Sequence, residues 1–593
     1  MTLDKQPRRS MFFGLQLFML AAIICLGIYV RIVDLDRQFT HIDDLGVAET
    51  ILGQDERYDI EYVRKRIHDT THEGFNSLPY RILRSLDASN RLEAFLPLLK
   101  NLLKLVIVPW VWTYAPLQFP LTSLLLSHDQ SYKEILFWGR FPSFLSGCLA
   151  LILIVFLHRK IAKEDYFLPA FTSVLFLSLT WENIIYAKHM SSYAIGVLAA
   201  IALLYALTEI IKRGHLTAKS SLLFGTALAI ISHMQYQVLF YMPAFYLTWL
   251  MVTHKTTVSR LSSLRHLLLT ATAHGAMILP MVLLFLLHRT DRGITWSGSF
   301  SFPILFDPGQ DISFAGKLNY ALEFFSGNSY KVVDFLFAFS PSAGNPLFIN
   351  ILLITAIVAG MYKLLASAVK TEKAIGLFFL LCLLSTVGLI LSQKLTFGPT
   401  RHSLFFMPYL AVSASFGFKL FVEFFQRWGD KRKTDLVCAS TIFAIVIAVF
   451  LPSLGPALKE RQGLFVESEF AALIAKYKPD FIIAQAAGNL SFMEPSKDWA
   501  KQYSSGVRAF TLFENPAKNN TGVYMLVHFS PFNRENLREI KNDFNLGADF
   551  DNPGAYTTVY EREENTGACV DVCVEKKTGE NGISVQIFTK NHH

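Results

Sequence analysis

Apolar segments of about twenty residues recur along the chain, the length that an α-helix needs to cross roughly 30 Å of hydrocarbon. The first, from Met11 to Val30, follows the basic residues Lys5, Arg8 and Arg9 and precedes no small-residue cleavage site. We therefore interpret it as an uncleaved membrane helix. Hydrophobic residues make up 52% of the 593 positions and charged residues only 17%. This composition excludes an ordinary soluble protein.

Further apolar segments lie at about 141–158, 166–184, 193–211, 221–234, 236–253, 267–288, 347–363, 374–392, 404–424 and 436–452. Together with the first segment they predict a polytopic α-helical membrane protein of about eleven transmembrane helices.

Basic residues collect in alternate connections between these segments, as the positive-inside rule requires of cytoplasmic loops. These connections are 158–160, 212–213, 254–266, 363–373 and 427–433. The excess of 55 Lys and Arg over 47 Asp and Glu thus indicates membrane topology and not a nucleic-acid partner. The N-terminus is predicted to be cytoplasmic. An additional apolar stretch, 102–126, contains Pro109, Pro116 and Pro120, and a crossing there would invert every later loop. We expect it to lie at the outer interface.

Two domains follow from this topology. Residues 1–453 form a membrane module with outer loops at about 32–140 and 289–346, and residues 454–593 have soluble composition. The tail has a helical period at 465–477 and strand-like runs at 481–484, 523–528, 556–560 and 583–589, which predict a small extracytoplasmic α/β domain. Its Cys569 and Cys573 could form a disulfide or remain thiols.

An acidic pair, Asp43-Asp44, follows the first membrane segment on the predicted outer side, near His41. Neighbouring carboxylates at the mouth of a helix bundle could act as a general base, or could hold a divalent cation such as Mg²⁺ or Mn²⁺. A solvated acidic loop would show the same pattern. Nothing in the sequence indicates an organic cofactor.

An ordered set of short motifs accompanies the acidic pair. Arg31 ends the first segment; later come Phe119-Pro120-Leu121, Gly139-Arg140-Phe141-Pro142-Ser143, Tyr186-Ala187-Lys188-His189, Ser191-Ser192-Tyr193, Ser232-His233 and Pro399-Thr400-Arg401-His402-Ser403. In order and placement this set resembles the GT-C glycosyltransferases, in the branch of protein O-mannosyltransferases and lipid A aminoarabinose transferases. His189 and Ser191 depart from that branch, which has Glu and Arg there. The resemblance covers most of residues 11–424.

The resemblance implies an inverting transfer of a sugar from a polyprenyl-phosphate donor to an acceptor on the outer face, with Asp43 as the general base and Asp44 assisting. A fixed cation beside the departing phosphate would stabilise the transition state, and Arg401 is the first candidate because a guanidinium binds phosphate bidentately. Further candidates for substrate binding, each of which could instead be an interface residue, are Lys188, Arg140, His189, His233, His402 and Tyr193.

Two other classes of protein fit the same pattern. One is a transporter or lipid flippase, although polar residues gather at outer helix ends and the two halves differ. The other is a non-catalytic partner that retains the fold, which the altered motif at 188–192 would permit. The expected partners are a polyprenyl-phosphate sugar, a lipid, glycan or protein acceptor, and membrane lipids. A bacterial inner membrane, with the tail periplasmic, is the expected location.

Overall fold

The computed structural model describes residues 6–33, 35, 121–122, 124–126, 130, 132–190, 193–214, 216–235, 237–253, 264–279, 313–339, 345–391, 398–425 and 431–461, and beyond these the residues of seven short strands. The described residues fall into two compact units, one holding the helices between Arg140 and Leu454 together with the first helix, the other holding the strands.

The helices are numbered here in chain order. They are α1 Gln6–Ile32, α2 Tyr132–Ala162, α3 Phe167–Leu179, α4 Trp181–Tyr186, α5 Tyr193–Arg213, α6 Ala218–Met234, α7 Gln237–Thr253, α8 264–279, α9 Phe314–Leu336, α10 Leu347–Ala366, α11 Lys370–Leu391, α12 Met407–Phe425 and α13 Lys431–Arg461. A 3-10 helix, Arg401–Phe406, leads directly into α12.

Seven of the described helices are long and apolar enough to cross a membrane, and two more, α3 and α7, are apolar but shorter. Each predicted segment overlaps one of the described helices, although only the first part of the 267–288 segment lies within the described residues. The chain is therefore a helical membrane protein, as the sequence predicts.

The bundle is held together at its centre by close helix contacts. Helix α10 packs against α12, which also contacts α3, while α5 contacts α6, α7, α11 and the 3-10 helix. At the α10–α12 crossing a Cβ on Gly360 would lie 1.7 Å from the Ser413 carbonyl oxygen, and one on Gly417 would lie 1.9 Å from the Ala356 oxygen. Ser413 donates a hydrogen bond across this contact to the Ile357 carbonyl at 2.8 Å. Small residues permit this approach, as in other membrane helix pairs.

One end of the bundle carries ion pairs. Lys160 at the end of α2 pairs with Glu209 of α5, which also accepts from Arg213 at 2.7 Å. Lys363 at the end of α10 pairs with Glu423 of α12 at 2.6 Å. These basic residues belong to connections that the sequence predicts to be cytoplasmic. Their pairing at the ends of α2, α5, α10 and α12 supports the prediction that these connections lie on one side of the membrane.

Several helix boundaries differ from the sequence prediction; α13, for example, runs over Lys431–Arg461 where 436–452 was expected. Residues 166–184 were expected to form one crossing, but α3 ends at Leu179 and Thr180 is extended, with ψ of 134°, before the short α4 begins. Helix α2 begins at Tyr132, earlier than the predicted 141, and continues through Pro142. The break at Thr180 creates a turn beside the end of α1.

The strands of the second unit form one sheet. They are β1 Phe481–Gln485, β2 Tyr503–Ser504, β3 Phe510–Glu514, β4 Val523–His528, β5 Tyr556–Thr557, β6 Glu575–Thr578 and β7 Ser584–Lys590. Their order is β2-β3-β1-β4-β7-β5, with β6 also on β7. Strands β1 and β4 pair in parallel and the other pairs are antiparallel. The predicted helix at 465–477 and both cysteines of the tail lie outside the described residues.

Candidate functional site

Polar side chains concentrate at the end of the bundle opposite the ion pairs. There the end of α1, the α4–α5 connection, the beginning of α7 and the 3-10 helix come together. Gln237 contacts His402, Lys188 contacts Val33, and Trp181 donates from its backbone to Ala338 after α9 at 2.7 Å.

Arg31 lies at the base of the site and is completely buried. Its guanidinium donates to the Gly27 carbonyl at 2.7 Å, to the Ser178 carbonyl at 3.1 Å and to the Leu177 carbonyl. The last two carbonyls end α3, where helix carbonyls lack intrahelical partners. The cation therefore caps the C-terminus of α3, which explains why that helix stops at Leu179.

Helix α2 approaches Arg31 at Gly147. A Cβ on this residue would lie 3.0 Å from the Ala187 Cβ and 3.3 Å from Nε of Arg31. Arg140, which is fully buried, precedes Gly147 by seven residues, two helical turns, and so lies on the same face of α2. The predicted candidate Arg140 is thus oriented towards the helices that form the site.

Lys188 connects the α4–α5 turn to the end of α1. It is 1% exposed, and its Nζ donates to the Val33 carbonyl at 2.6 Å. Val33 is followed by the connection that carries Asp43 and Asp44, both of which lie outside the described residues. Lys188 therefore places a buried positive charge where the chain leaves α1 towards the predicted general base.

Tyr193, the first residue of α5, organises the most complete group of predicted residues. The Arg401 guanidinium carbon lies 5.6 Å from the centre of its ring, and the rings of Tyr186 and His402 lie 5.1 and 5.8 Å away. His189 lies 5.4 Å from Tyr186. We call Tyr186, His189, Tyr193, Arg401 and His402 the Tyr193 cluster. A guanidinium is a group that binds phosphate, and aromatic faces can stack on a sugar ring.

His233 lies apart from the Tyr193 cluster. It is half-buried at the end of α6, and the same helix end carries Ser232, which hydrogen bonds His274 of α8 at 2.9 Å. Of the seven predicted substrate-binding residues, the structure brings four together in the cluster, His189, Tyr193, Arg401 and His402. Two more lie outside the cluster: Lys188 contacts the end of α1, and Arg140 lies on the α2 face that approaches Arg31.

Two sets of polar residues were not predicted from the sequence. Gln235 and Gln237, which flank the short connection between α6 and α7, are 2% and 7% exposed. Asp334 at the end of α9 accepts hydrogen bonds from the Asn345 backbone at 3.0 Å and from the Asn350 side chain at 2.7 Å. Asn350 is fully buried within an apolar helix, and an amide in such a helix is the signal that could have indicated this network.

Within the described ranges, no group of three or more His, Cys, Asp or Glu residues is arranged to hold a metal ion. The proposed cation ligands Asp43 and Asp44 lie outside those ranges, so this finding does not test them.

The chain matches no known family model and no curated protein. The resemblance to GT-C glycosyltransferases is carried by the motifs and remains a hypothesis.

Proposed function

We propose that the chain is an integral membrane glycosyltransferase that moves a sugar from a polyprenyl-phosphate donor to an acceptor at the extracytoplasmic end of the bundle. Asp43 is the general base in an inverting displacement, with Asp44 assisting. The observation that carries the proposal is the Tyr193 cluster, in which Arg401 is held 5.6 Å from an aromatic ring centre at the end of the bundle away from the ion pairs.

The donor chemistry explains why such a cluster is useful. As the bond between sugar and phosphate breaks, negative charge accumulates on the phosphate, and a preorganised guanidinium stabilises this charge more in the transition state than in the ground state. Arg401 is the phosphate-binding residue, and Lys188 adds a second positive charge beside the end of α1. The aromatic rings of Tyr186 and Tyr193 supply faces for the sugar or for the first prenyl units.

The acceptor side is assigned to the connection after α1. A carboxylate that accepts the proton of the acceptor hydroxyl makes that oxygen a better nucleophile. The hydrogen bond from Lys188 to Val33 supports placing the start of this connection beside the cluster, because only nine residues separate Val33 from Asp43. A Mg²⁺ or Mn²⁺ ion held by Asp43 and Asp44 is the alternative role for the pair.

The rest of the proposal concerns architecture. About eleven crossings, with a cytoplasmic N-terminus, put the Tyr193 cluster and the C-terminal sheet on the outer side. The sheet and the helical segment predicted before it form the extracytoplasmic α/β domain, which we propose to contact the acceptor. A bacterial inner membrane is the proposed location.

The decisive experiment compares Asp43→Asn with Glu323→Gln, which removes a carboxylate from an exposed position on α9. Purified protein in lipid vesicles is incubated with a radiolabelled extract of undecaprenyl-phosphate sugars and with cell-envelope acceptor. We expect Asp43→Asn to lose about a hundredfold or more of the transfer, as removal of a general base does, while Glu323→Gln transfers normally. Transfer by Asp43→Asn at the normal rate contradicts the assigned base. Movement of the lipid sugar across the vesicle without any glycosylated product would favour the transporter instead.

A further inference from the structure

A chain of two side-chain amides runs from α5 to the 3-10 helix that carries Arg401. Gln237 donates from Nε2 to the backbone carbonyl of His402 at 3.1 Å, and Gln235 donates to Oε1 of Gln237 at 3.4 Å. Both side chains are buried. The carbonyl that accepts this bond belongs to the residue immediately after Arg401.

Gln235 is itself seated against α5 at a glycine. A Cβ on Gly196 would lie 3.2 Å from Nε2 of Gln235, and Gly196 follows Tyr193 by three residues, one turn of the same helix face. The two amides therefore connect the helix that presents Tyr193 with the backbone that presents Arg401. These are the two partners of the cation–aromatic contact.

The donor and acceptor pattern allows only one orientation of Gln237. Its Oε1 accepts from Gln235, so its NH₂ group faces the His402 carbonyl. A buried carbonyl that loses its donor costs free energy, and the backbone would move to find another partner. The guanidinium of Arg401 extends from that same backbone.

We propose that Gln237, oriented by Gln235, is a positioning residue that holds the Arg401 backbone so that the guanidinium stays over Tyr193, ready for the phosphate of the donor. The proposal rests on the proposed function, because it assigns to Gln237 an effect on phosphate binding that acts only through Arg401. Gln237 itself does not contact the donor.

The test is a double-mutant cycle on phosphate binding. The protein in detergent is titrated with farnesyl phosphate, a short polyprenyl phosphate, and the dissociation constant is measured for the unmodified protein, Gln237→Met, Arg401→Gln and the double variant. Methionine keeps the length of the side chain but donates no hydrogen bond. This change removes both the hydrogen bond to the His402 carbonyl and the one from Gln235. We expect Gln237→Met to weaken binding about three- to tenfold, because it displaces Arg401 without removing its charge, and the double variant to bind as Arg401→Gln does.

Ser173→Ala is the matched control, because Ser173 of α3 also makes two hydrogen bonds, one with His158 of α2 at 2.8 Å and one to the Ala411 carbonyl of α12 at 3.2 Å. It should lower the melting temperature about as much as Gln237→Met and leave farnesyl phosphate binding unchanged. If Ser173→Ala weakened farnesyl phosphate binding as much as Gln237→Met does, the effect of Gln237 would be one of general stability, and the proposal would be overturned. Losses from Gln237→Met and Arg401→Gln that multiply would also overturn it. Binding that survives Arg401→Gln intact would instead reject the proposed function of Arg401.

Discussion

Arg31 and Arg401 lie at the same end of the bundle but differ in burial and in the groups that they contact. Arg31 is fully buried, and its two Nη atoms donate to carbonyls of α1 and α3. Arg401 is only partly buried and lies over an aromatic ring. The first is built to hold helices together and the second is placed to meet a ligand, although both stand at helix ends in the sequence.

For Arg401 we expect that replacement by Gln lowers sugar transfer about 10²- to 10³-fold, the usual effect of removing a group that stabilises transition-state charge. Arg401→Lys keeps the charge but loses the planar fork, so its activity should lie between those of the unmodified protein and Arg401→Gln. Arg213→Gln, which removes an exposed partner of Glu209 at the other end of the bundle, is the control. Initial transfer rates measure all three, and a lysine variant no better than glutamine would contradict a role for charge.

For Arg31 we expect a loss of stability that does not depend on substrate. Arg31→Met leaves the Ser178 carbonyl without its donor, whereas the Leu177 carbonyl keeps the hydrogen bond from Asn183, so the change should cost about 1.5–3 kcal/mol. Thermal unfolding in detergent measures the change. Lys331→Met on the exposed side of α9 should leave the melting temperature almost unchanged. An Arg31→Met protein as stable as the control would mean that the C-terminus of α3 is satisfied in another way.

The sequence predicts where helices and strands lie more accurately than it predicts the residues at which they begin and end. Apolar length located the described membrane helices because burial in hydrocarbon depends on length and composition alone. It could not show that α3 stops at Leu179, since that break depends on a guanidinium from another helix. Strand β4 has the predicted bounds, whereas β6, with the sequence Glu-Lys-Lys-Thr, has no apolar alternation to reveal it.

Some residues of the candidate site were predicted from the sequence, and others were not. Motif order selected Tyr193, Arg401 and His402, which the structure brings together. The sequence did not single out Gln235, Gln237 or Asp334, because an amide or a carboxylate in a connection looks like a solvated residue until its partners are known. Only the fold places Gln237 against the His402 carbonyl.

The α10–α12 crossing provides a prediction at this scale. Gly417→Ala would place its new carbon 1.9 Å from the Ala356 oxygen, so the two helices must separate. We expect a destabilisation of about 3 kcal/mol or more, at the upper end of overpacking effects. In Gly388→Ala the new methyl group meets nothing within 4 Å, and this control should be neutral or slightly stabilising. Melting temperatures of the two variants distinguish a backbone contact from a general effect of helix glycines, and equal values would contradict the close crossing.

At the scale of the whole membrane unit, the two ends of the bundle have opposite chemistry. One end has exposed and half-exposed ion pairs such as Arg213–Glu209 and Lys363–Glu423. The other end has the buried Arg31 and Lys188, which donate to carbonyls, and the partly buried Arg401, which lies over an aromatic ring. Surface ion pairs contribute little to stability, so the basic end is best explained by membrane orientation. Arg401 is not explained in this way, and we propose that it binds an anionic lipid head group.

This polarity makes a prediction about orientation that is independent of any enzyme assay. In a variant without native cysteines, Pro399→Cys introduces an exposed thiol beside the Tyr193 cluster, and Lys370→Cys introduces one at the start of α11, near the basic end. A membrane-impermeant maleimide should label Pro399→Cys in intact cells and Lys370→Cys only after the membrane is opened. This labelling pattern would place Arg401 on the extracytoplasmic side of the membrane, where the proposed sugar transfer takes place. Labelling in the reverse order would place the cluster in the cytoplasm, and the extracytoplasmic transfer proposed here would have to be abandoned even if Arg401 binds phosphate.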